Sequence, residues 1–209
     1  MILAALPQGA ASKSLILIIA VITGLLAGIL RAWSKHRSLT VPHLNLVALV
    51  IAAFIIQLLI FQIPTLSGRI TDRFVPYLLV FSLLLLVVFT WLNRRQSGFA
   101  LLGLGLLLNL AVILLNGGWM PISPQIVERL DPHAPNGAWE IGERLGTTKD
   151  MVMHTSNIRL RILSDHFVVP DWFPYRVAFS FGDLLISIGA FWFLWSMGSP
   201  HKKPTGIDN

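Results

Sequence analysis

The sequence contains no cysteine and very few charged residues. Only 12% of its 209 residues are Asp, Glu, Lys or Arg, whereas 55% are hydrophobic. The absence of cysteine excludes disulfides, thiolate metal sites and cysteine nucleophiles. The charged fraction is about half of the ~25% that soluble domains carry. Together with a mean hydropathy of +0.71, this composition indicates a membrane protein.

Acidic residues are the scarcer charge, since 10 Asp and Glu stand against 16 Lys and Arg, for a formal net charge of +6. In a soluble protein this basic excess would suggest binding to nucleic acid. Here the basic residues cluster at the ends of apolar runs, where lipid headgroups and membrane topology account for them. We therefore expect no nucleic acid partner, and the expected surroundings are the lipid bilayer.

Five apolar runs have the length of membrane-spanning helices. They cover residues 14–30, 44–63, 75–92, 99–115 and 179–197. Basic residues follow the first, third and fifth runs, so the positive-inside rule places the N-terminus outside and the C-terminus in the cytoplasm. The predicted fold is an all-α membrane protein with five transmembrane helices in a single integral membrane domain. A long, partly helical extracytoplasmic segment, residues 116–178, separates the fourth helix from the fifth.

The extracytoplasmic segment carries signals of local structure. Ser123 followed by Pro124 is typical of an N-cap and a first helical turn, and predicts a short amphipathic helix. A second short helix is predicted across Ala138–Leu145, with Gly146 as its stop. The alternation of apolar and basic residues in Ile158–Leu163 fits either a strand or an irregular edge, and the pattern does not decide between them.

The densest motif is Asn-Gly-Gly-Trp-Met-Pro at residues 116–121, where the fourth apolar run ends. Gly117 and Gly118 permit positive φ or a close backbone approach, Pro121 forbids continuation of the helix, and Trp119 prefers the membrane interface. This pattern predicts a helix C-cap followed by a rigid interfacial turn. The alternative interpretation is a shaped site at the membrane surface.

Polar side chains inside the apolar runs are candidate binding or structural sites. Gln57 should face the helix bundle, where it makes an interhelical hydrogen bond or contacts a ligand. Asn109 shares a helix face with Asn116, which predicts a polar stripe leading to the Asn-Gly-Gly turn. Gln57 or freed carbonyls at the helix end can also satisfy both asparagines.

Asp183 is the acid that lies inside an apolar run. An intramembrane carboxylate is a functional hypothesis by default. Ser180, three residues earlier, instead favours a capping box at the outer end of the last helix. If Asp183 is less exposed than a cap should be, Arg176 is the expected charge partner.

Small residues recur on one face of the first and the last apolar run. Gly24 and Gly28 lie four residues apart, and Gly182 and Gly189 lie seven apart. Such faces let another helix approach closely. They predict close helix packing, and they also offer a surface for a membrane-protein partner or for a second copy of the chain.

Known catalytic motifs are absent from the sequence. It has no Walker-type or dinucleotide-binding glycine pattern, no Gly-x-Ser-x-Gly elbow and no His-Glu-x-x-His helix. His133, His154 and His166 are spaced in a way that fits no metal signature. We therefore expect neither a metal nor a cofactor.

Three stretches together resemble a family of small bacterial multi-pass membrane proteins of unknown function. They are residues 24–31, the turn with its following Ser-Pro at 116–124, and residues 179–189. The Asn-Gly-Gly-x-Met-Pro turn is the specific element, and Trp119 stands where Arg is more often expected. The resemblance implies a bacterial plasma membrane and supplies no reaction.

Three classes of function remain open, in order of preference. The first is a non-catalytic structural or accessory component of a bacterial membrane assembly, because no catalytic set is evident. The second is a membrane-embedded enzyme that acts on a lipid or lipid-linked substrate at the outer leaflet, using Asp183, Arg176 and Asn116, with His166 as a further candidate. The third is a small-solute transporter along Gln57, Asn109 and Asn116.

Overall fold

The computed structural model describes residues 8–36, 42–61, 73–132, 135, 139–170, 172–173 and 175–197. Six α-helices dominate these residues. They are α1 (Gln8–Ser34), α2 (Ala48–Phe61), α3 (Val75–Leu92), α4 (Phe99–Leu115), α5 (Pro124–Leu130) and α6 (Phe181–Ser196). The predicted end of the second run at residue 63, His133 and the basic C-terminal tail lie outside the described residues.

Two of the described helices are long and apolar enough to cross a membrane, Ile16–Ser34 within α1 and Val75–Leu92. The apolar helices α2, α4 and α6 are shorter, with 14, 17 and 16 residues. At ~1.5 Å per residue they are about 21–26 Å long, short of a ~30 Å hydrocarbon core. Helix length therefore supports two candidate spans and does not support the five that the sequence predicted.

Glycines bring α1 and α6 into close contact. A Cβ atom on Gly24 would lie 2.8 Å from the Cα of Phe191, and one on Gly28 would lie 2.5 Å from the carbonyl oxygen of Leu194. A larger residue would push the two helices apart. Because both pairs advance along the chain in the same direction, α1 and α6 run parallel.

Glycines also form the contact between α4 and α6. A Cβ atom on Gly105 would lie 2.5 Å from the carbonyl oxygen of Gly182, and one on Gly189 would lie 2.7 Å from that of Gly98. The order of these pairs makes the two helices antiparallel. The predicted close packing is therefore confirmed, but both glycine faces contact the chain's own helices. A partner or a second copy at these faces stays a prediction.

Polar groups join α2 to α3. The side chain of Gln57 donates a 3.0 Å hydrogen bond to Ser82 Oγ, as expected for an amide that faces the bundle. At the opposite end, Asn93 accepts from the backbone N–H of Asn45 at 2.8 Å and donates to its carbonyl at 3.0 Å. These contacts make α2 and α3 antiparallel.

The helix directions alternate through the bundle. The helices pack in the order α1, α6, α4, α3, α2. Phe89 near the end of α3 packs against Phe99 at the start of α4, with ring centroids 5.6 Å apart, so this pair is antiparallel as well. As a result, α1, α3 and α6 point in one direction, and α2 and α4 point in the other.

The segment between α4 and α6 contains short strands and turns. Its strands are β1 (Met120–Ile122), β2 (Asp150–Val152), β3 (Phe167–Val168) and β4 (Ala178–Phe179). β1 pairs with β2 in parallel and β3 with β4 antiparallel. The predicted amphipathic helix is confirmed as α5, whose apolar residues Ile126 and Val127 are buried against the strands.

One other expectation for this segment needs correction, and one open alternative is decided. No helix forms over residues 139–145, the described part of Ala138–Leu145, because its backbone bonds to β2. The N–H of Gly142 donates to Val152 at 2.7 Å, and that of Leu145 donates to Asp150 at 2.9 Å. The stretch Ile158–Leu163 is irregular, and it ends in a 3₁₀ turn at Arg161–Leu163.

Candidate functional site

The Asn-Gly-Gly turn is a structural corner with two left-handed glycines. Gly117 has a φ of +75° and Gly118 a φ of +87°, a conformation that residues with a Cβ atom adopt only with strain. Gly117 has open space around it, whereas Gly118 packs directly against Pro76 at the start of α3. The first glycine is therefore required by conformation alone, and the second by conformation and contact.

The remaining residues of the motif are buried. Asn116 donates to the carbonyls of Val112 at 2.8 Å and Arg159 at 3.0 Å, and it accepts from the Arg159 N–H at 2.9 Å. Trp119 is only 6% exposed, and Pro121 is fully buried in β1. Trp119 is therefore enclosed by the protein itself, and the motif fixes the exit of the chain from α4.

Asn109 and Asp183 meet at the interface of α4 and α6. The Asn109 amide donates to Asp183 Oδ1 at 2.8 Å and accepts from Ser180 Oγ at 2.9 Å. Ser180 and Asp183 also form the predicted capping box, through bonds of 3.0 and 3.1 Å. Asn109 is thus satisfied by the cap of α6, and not by Gln57 as we had considered.

Lys149, and not Arg176, is the charge partner of Asp183. Its ammonium nitrogen lies 3.8 Å from Asp183 Oδ1, and the two side chains are 21% and 29% exposed. Arg176 is exposed and donates to the carbonyl oxygen of Arg129 at 3.3 Å. Lys149 was missed because it lies in a loop just before β2, where no sequence pattern indicates which helix it will face.

The environment of Lys149 keeps its ammonium group charged. Burial by itself would lower the pKa of Lys149, because it penalises the charged form. The attraction of Asp183, followed by that of Asp165 and Asp150, outweighs burial and raises the pKa above its ordinary value. An amine acting as a base or nucleophile needs the opposite shift. Lys149 is therefore a fixed cation at neutral pH.

Lys149 and Asp183 line a cavity of about 360 Å³ between the helices. Its apolar wall includes Leu58 of α2, Leu79, Leu83 and Leu86 of α3, and Leu106 and Ile113 of α4. Polar groups gather where the segment between α4 and α6 covers the cavity, and they belong to Asn109, Thr147, Thr148, Lys149 and Asp183. Gln57 of α2 and Ser187 of α6 also line the cavity. The cavity therefore combines an apolar body with a charged, hydrogen-bonding region.

Arg144 holds the loop that covers the cavity. Its guanidinium donates to the carbonyls of Thr148 at 2.7 Å and Thr147 at 2.8 Å. These two bonds close a tight turn directly before Lys149. Arg144 therefore holds the backbone from which the Lys149 side chain extends.

The same guanidinium anchors this turn to the bundle. It donates to the carbonyl of Ile60 at the end of α2, at 3.3 Å. It also lies 5.4 Å from the ring centroid of Phe61 and 5.3 Å from that of Trp119, within the range of cation–π attraction. Trp119, although buried within the Asn-Gly-Gly-Trp-Met-Pro motif, thus contacts the arginine that holds the covering loop.

Of the histidines considered from the sequence, the structure describes His154 and His166, and these two lie in different surroundings. His154 is exposed, and the His166 ring packs on Phe167 with centroids 5.9 Å apart. Within the ranges that the structure describes, no group of three His, Cys, Asp or Glu side chains is arranged to hold a metal ion.

The fold and the cavity define a mostly helical protein with two candidate membrane-spanning helices and an amphipathic pocket between its helices. Residues 42–195 match the model of a family of unknown function, DUF5317. This match covers well over half of the chain, and the protein therefore belongs to that family. It begins after α1 and includes the whole segment between α4 and α6. No curated protein and no solved structure matches the chain.

Proposed function

We propose that the protein is an integral membrane protein of the bacterial plasma membrane that binds an amphipathic molecule in its cavity without reacting with it. Five helices cross the membrane in this proposal, with the N-terminus outside and the C-terminus in the cytoplasm. The segment between α4 and α6 then lies outside the cell and covers the cavity at the outer leaflet. The combination of an apolar wall with the Lys149–Asp183 pair carries this proposal.

The surface of the bundle supports a membrane location. In the spans Ile16–Ser34 and Val75–Leu92, only 17% and 33% of the residues in the most apolar window are buried within the protein. Large apolar side chains therefore face outwards all around, including Trp33 at 78% and Tyr77 at 72% exposure. A soluble protein rarely exposes apolar patches of this extent. Lipid is the environment that suits this surface.

The alternating helix directions support five crossings. A chain that crosses five times with its N-terminus outside must send α1, α3 and α6 inwards and α2 and α4 outwards, and the glycine and asparagine contacts give these relative directions. At the proposed inner ends, Arg31 stacks on Trp195 at 4.6 Å and Arg94 on Trp91 at 4.5 Å. Arginine and tryptophan at a cytoplasmic interface fit the positive-inside rule and the aromatic belt. The shorter helices are accommodated by local thinning of the bilayer.

The cavity has the size and chemistry of a ligand site. Small-molecule sites enclose roughly 300–1,000 Å³ and combine mostly apolar walls with a few polar groups. The cavity between the helices, at about 360 Å³, lies within this range. Leucines along α3 and α4 suit an apolar chain, and the Lys149–Asp183 pair suits a polar headgroup.

The polar groups are arranged for binding more than for catalysis. The raised pKa of Lys149 makes its amine unsuited to proton abstraction or nucleophilic attack. Both carboxylate oxygens of Asp183 accept hydrogen bonds, one from Asn109 and one from the backbone of Ser180. These bonds hold the carboxylate in place as the cap of α6. We therefore retain a non-catalytic role and favour binding over a purely structural one.

The proposal is tested by identifying what the protein retains during purification. We expect native mass spectrometry in mild detergent to detect one amphipathic molecule per chain. Leu83→Trp should displace this molecule, because Leu83 is 7% exposed and lines the cavity. Leu84→Trp is the matched control, since Leu84 lies next to it on α3 and is 44% exposed. A folded Leu83→Trp variant that keeps the molecule, or a wild-type protein that carries none, would overturn the proposal.

A further inference from the structure

We propose that the ligand of the cavity is an uncharged amphiphile with a single apolar chain, of the class of monoacylglycerols and long-chain alcohols. A headgroup oxygen of this molecule accepts a hydrogen bond from Lys149. This inference rests on the binding function proposed above. It specifies that the ligand has one apolar chain and that its headgroup is uncharged.

The size of the cavity favours one chain. Its volume of about 360 Å³ lies near the lower end of the range of small-molecule sites. The aliphatic wall is formed by several helices together, with Leu58 of α2, Leu83 of α3 and Leu106 of α4 among its residues. A phospholipid with two chains needs more volume than this. A single chain in contact with these helices fits the space.

The ammonium group of Lys149 has N–H donors that can bind a ligand. Its nitrogen is 3.8 Å from Asp183 Oδ1, which is attraction between charges at a distance too long for a hydrogen bond. Across the part of the chain that the structure describes, no hydrogen bond from this ammonium group is found. An ammonium has three N–H donors. A hydroxyl or ester oxygen of a ligand in the cavity would accept from one of them.

An anionic headgroup does not suit this position. Lys149 already lies in the field of Asp183, Asp165 and Asp150, whose attraction outweighs the effect of its burial. A carboxylate or phosphate brought to the ammonium would be repelled by the same three groups. The positive charge of Lys149 is therefore already balanced by the protein, and a further anion is disfavoured.

A cationic headgroup does not suit it either. Asp183 is the acid that lines the cavity, and its carboxylate already has the Lys149 ammonium group 3.8 Å away as a counter-ion. The neighbouring Lys149 would repel a second cation. With both charged classes disfavoured, a neutral oxygen is the headgroup that fits the donors present.

The test compares three probes of equal chain length on the full-length protein in nanodiscs, namely a monoacylglycerol, an ionised fatty acid and an alkyltrimethylammonium. We expect the monoacylglycerol to bind at least about tenfold more tightly than the other two. Equal binding of all three would overturn the headgroup inference and leave the binding function intact. Binding of none would overturn both.

Two variants test whether Lys149 and Asp183 determine which headgroup is bound. Lys149→Met should weaken monoacylglycerol binding about tenfold, whereas the control Arg161→Met, at an exposed position outside the cavity lining, should not change it. Asp183→Asn removes one negative charge and keeps an acceptor for the helix cap. In this variant the affinity for the fatty acid should rise about fivefold or more relative to the affinity for the monoacylglycerol. An unchanged ratio in folded Asp183→Asn protein would contradict the inference.

Discussion

The ammonium group of Lys149 lies 3.8 Å from the carboxylate of Asp183, and this ion pair joins the covering loop to the first turn of α6. Asn109 binds the same carboxylate from α4. Three parts of the chain that are distant in sequence therefore converge on one acid. Asp183 caps a helix, fixes a helix pair and orients the cation at the cavity, and these roles can be separated by experiment.

Membrane topology gives the first prediction. The protein contains no cysteine, so single cysteines can be introduced without removing native ones. Ser97 lies in the exposed link between α3 and α4, and Ser156 is exposed in the segment between α4 and α6. Ser97→Cys should react with a membrane-impermeant maleimide only after cells are opened, and Ser156→Cys should react in intact cells. Reaction of both in intact cells would refute the five-span arrangement.

The two glycines of the Asn-Gly-Gly turn give the second prediction. Gly117→Ala should destabilise the protein by roughly 1–2 kcal/mol, the strain of a left-handed residue with a Cβ atom. Gly118→Ala should cost more, because its Cβ atom would also collide with Pro76. Trp119→Phe should cost less than Gly118→Val, because the smaller ring still fills most of the buried site. Thermal unfolding in detergent provides the measurement, and equal melting temperatures for the two alanine variants would show that the contact with Pro76 is unimportant.

Local patterns in the sequence predicted the features that depend on neighbouring residues. The capping box of Ser180 and Asp183 and the start of α5 after Ser123 each need only three or four residues, and both are present. The spacing of Gly24 and Gly28 likewise predicted close packing. It could not name the partner, because a glycine face fits any helix that approaches it.

Features that depend on distant residues could not be predicted. Lys149 is not part of a periodic sequence pattern. Its pairing with Asp183 appears only when β2 pairs with β1 and Arg144 closes the preceding turn. Trp119 was expected at the membrane interface because that is where tryptophan is common. It is instead buried in the hydrophobic core with Ile113 and Met120, and its ring also faces the Arg144 guanidinium. In each case a tertiary contact outweighed the preference of the single residue.

Alkaline pH gives the third prediction. The pKa of Lys149 in the folded protein lies above its unfolded value of about 10.5. Its contribution to stability is therefore complete below pH 10.5 and is lost as the pH rises through the folded-state pKa. The stability difference between wild type and Lys149→Gln should be constant from neutral pH to about pH 10 and should shrink above it. Lys35→Gln, at an exposed position, is the control and should leave the pH profile unchanged.

The last prediction separates the roles of Asp183 by stability. Asp183→Asn keeps one acceptor and should cost about 1 kcal/mol, whereas Asp183→Leu loses the bonds to Ser180 and Asn109 and should cost about 2–4 kcal/mol. Chemical denaturation in detergent can measure both. If Asp183 acted mainly as a counter-ion, the Asn and Leu variants would be equally unstable, since both remove the charge.

A double-mutant cycle then measures the ion pair itself. Lys149→Met combined with Asp183→Asn should give a coupling energy of roughly 0.5–1 kcal/mol, because both side chains keep some contact with solvent. Arg176→Gln combined with Asp183→Asn should give a coupling near zero, since Arg176 binds the Arg129 carbonyl. Strong coupling to Arg176 would contradict the assignment of Lys149 as the partner. Coupling to Lys149 well above this range would mean that the pair is more deeply buried than its exposure indicates, and that neutralising Asp183 strands a cation inside the bundle.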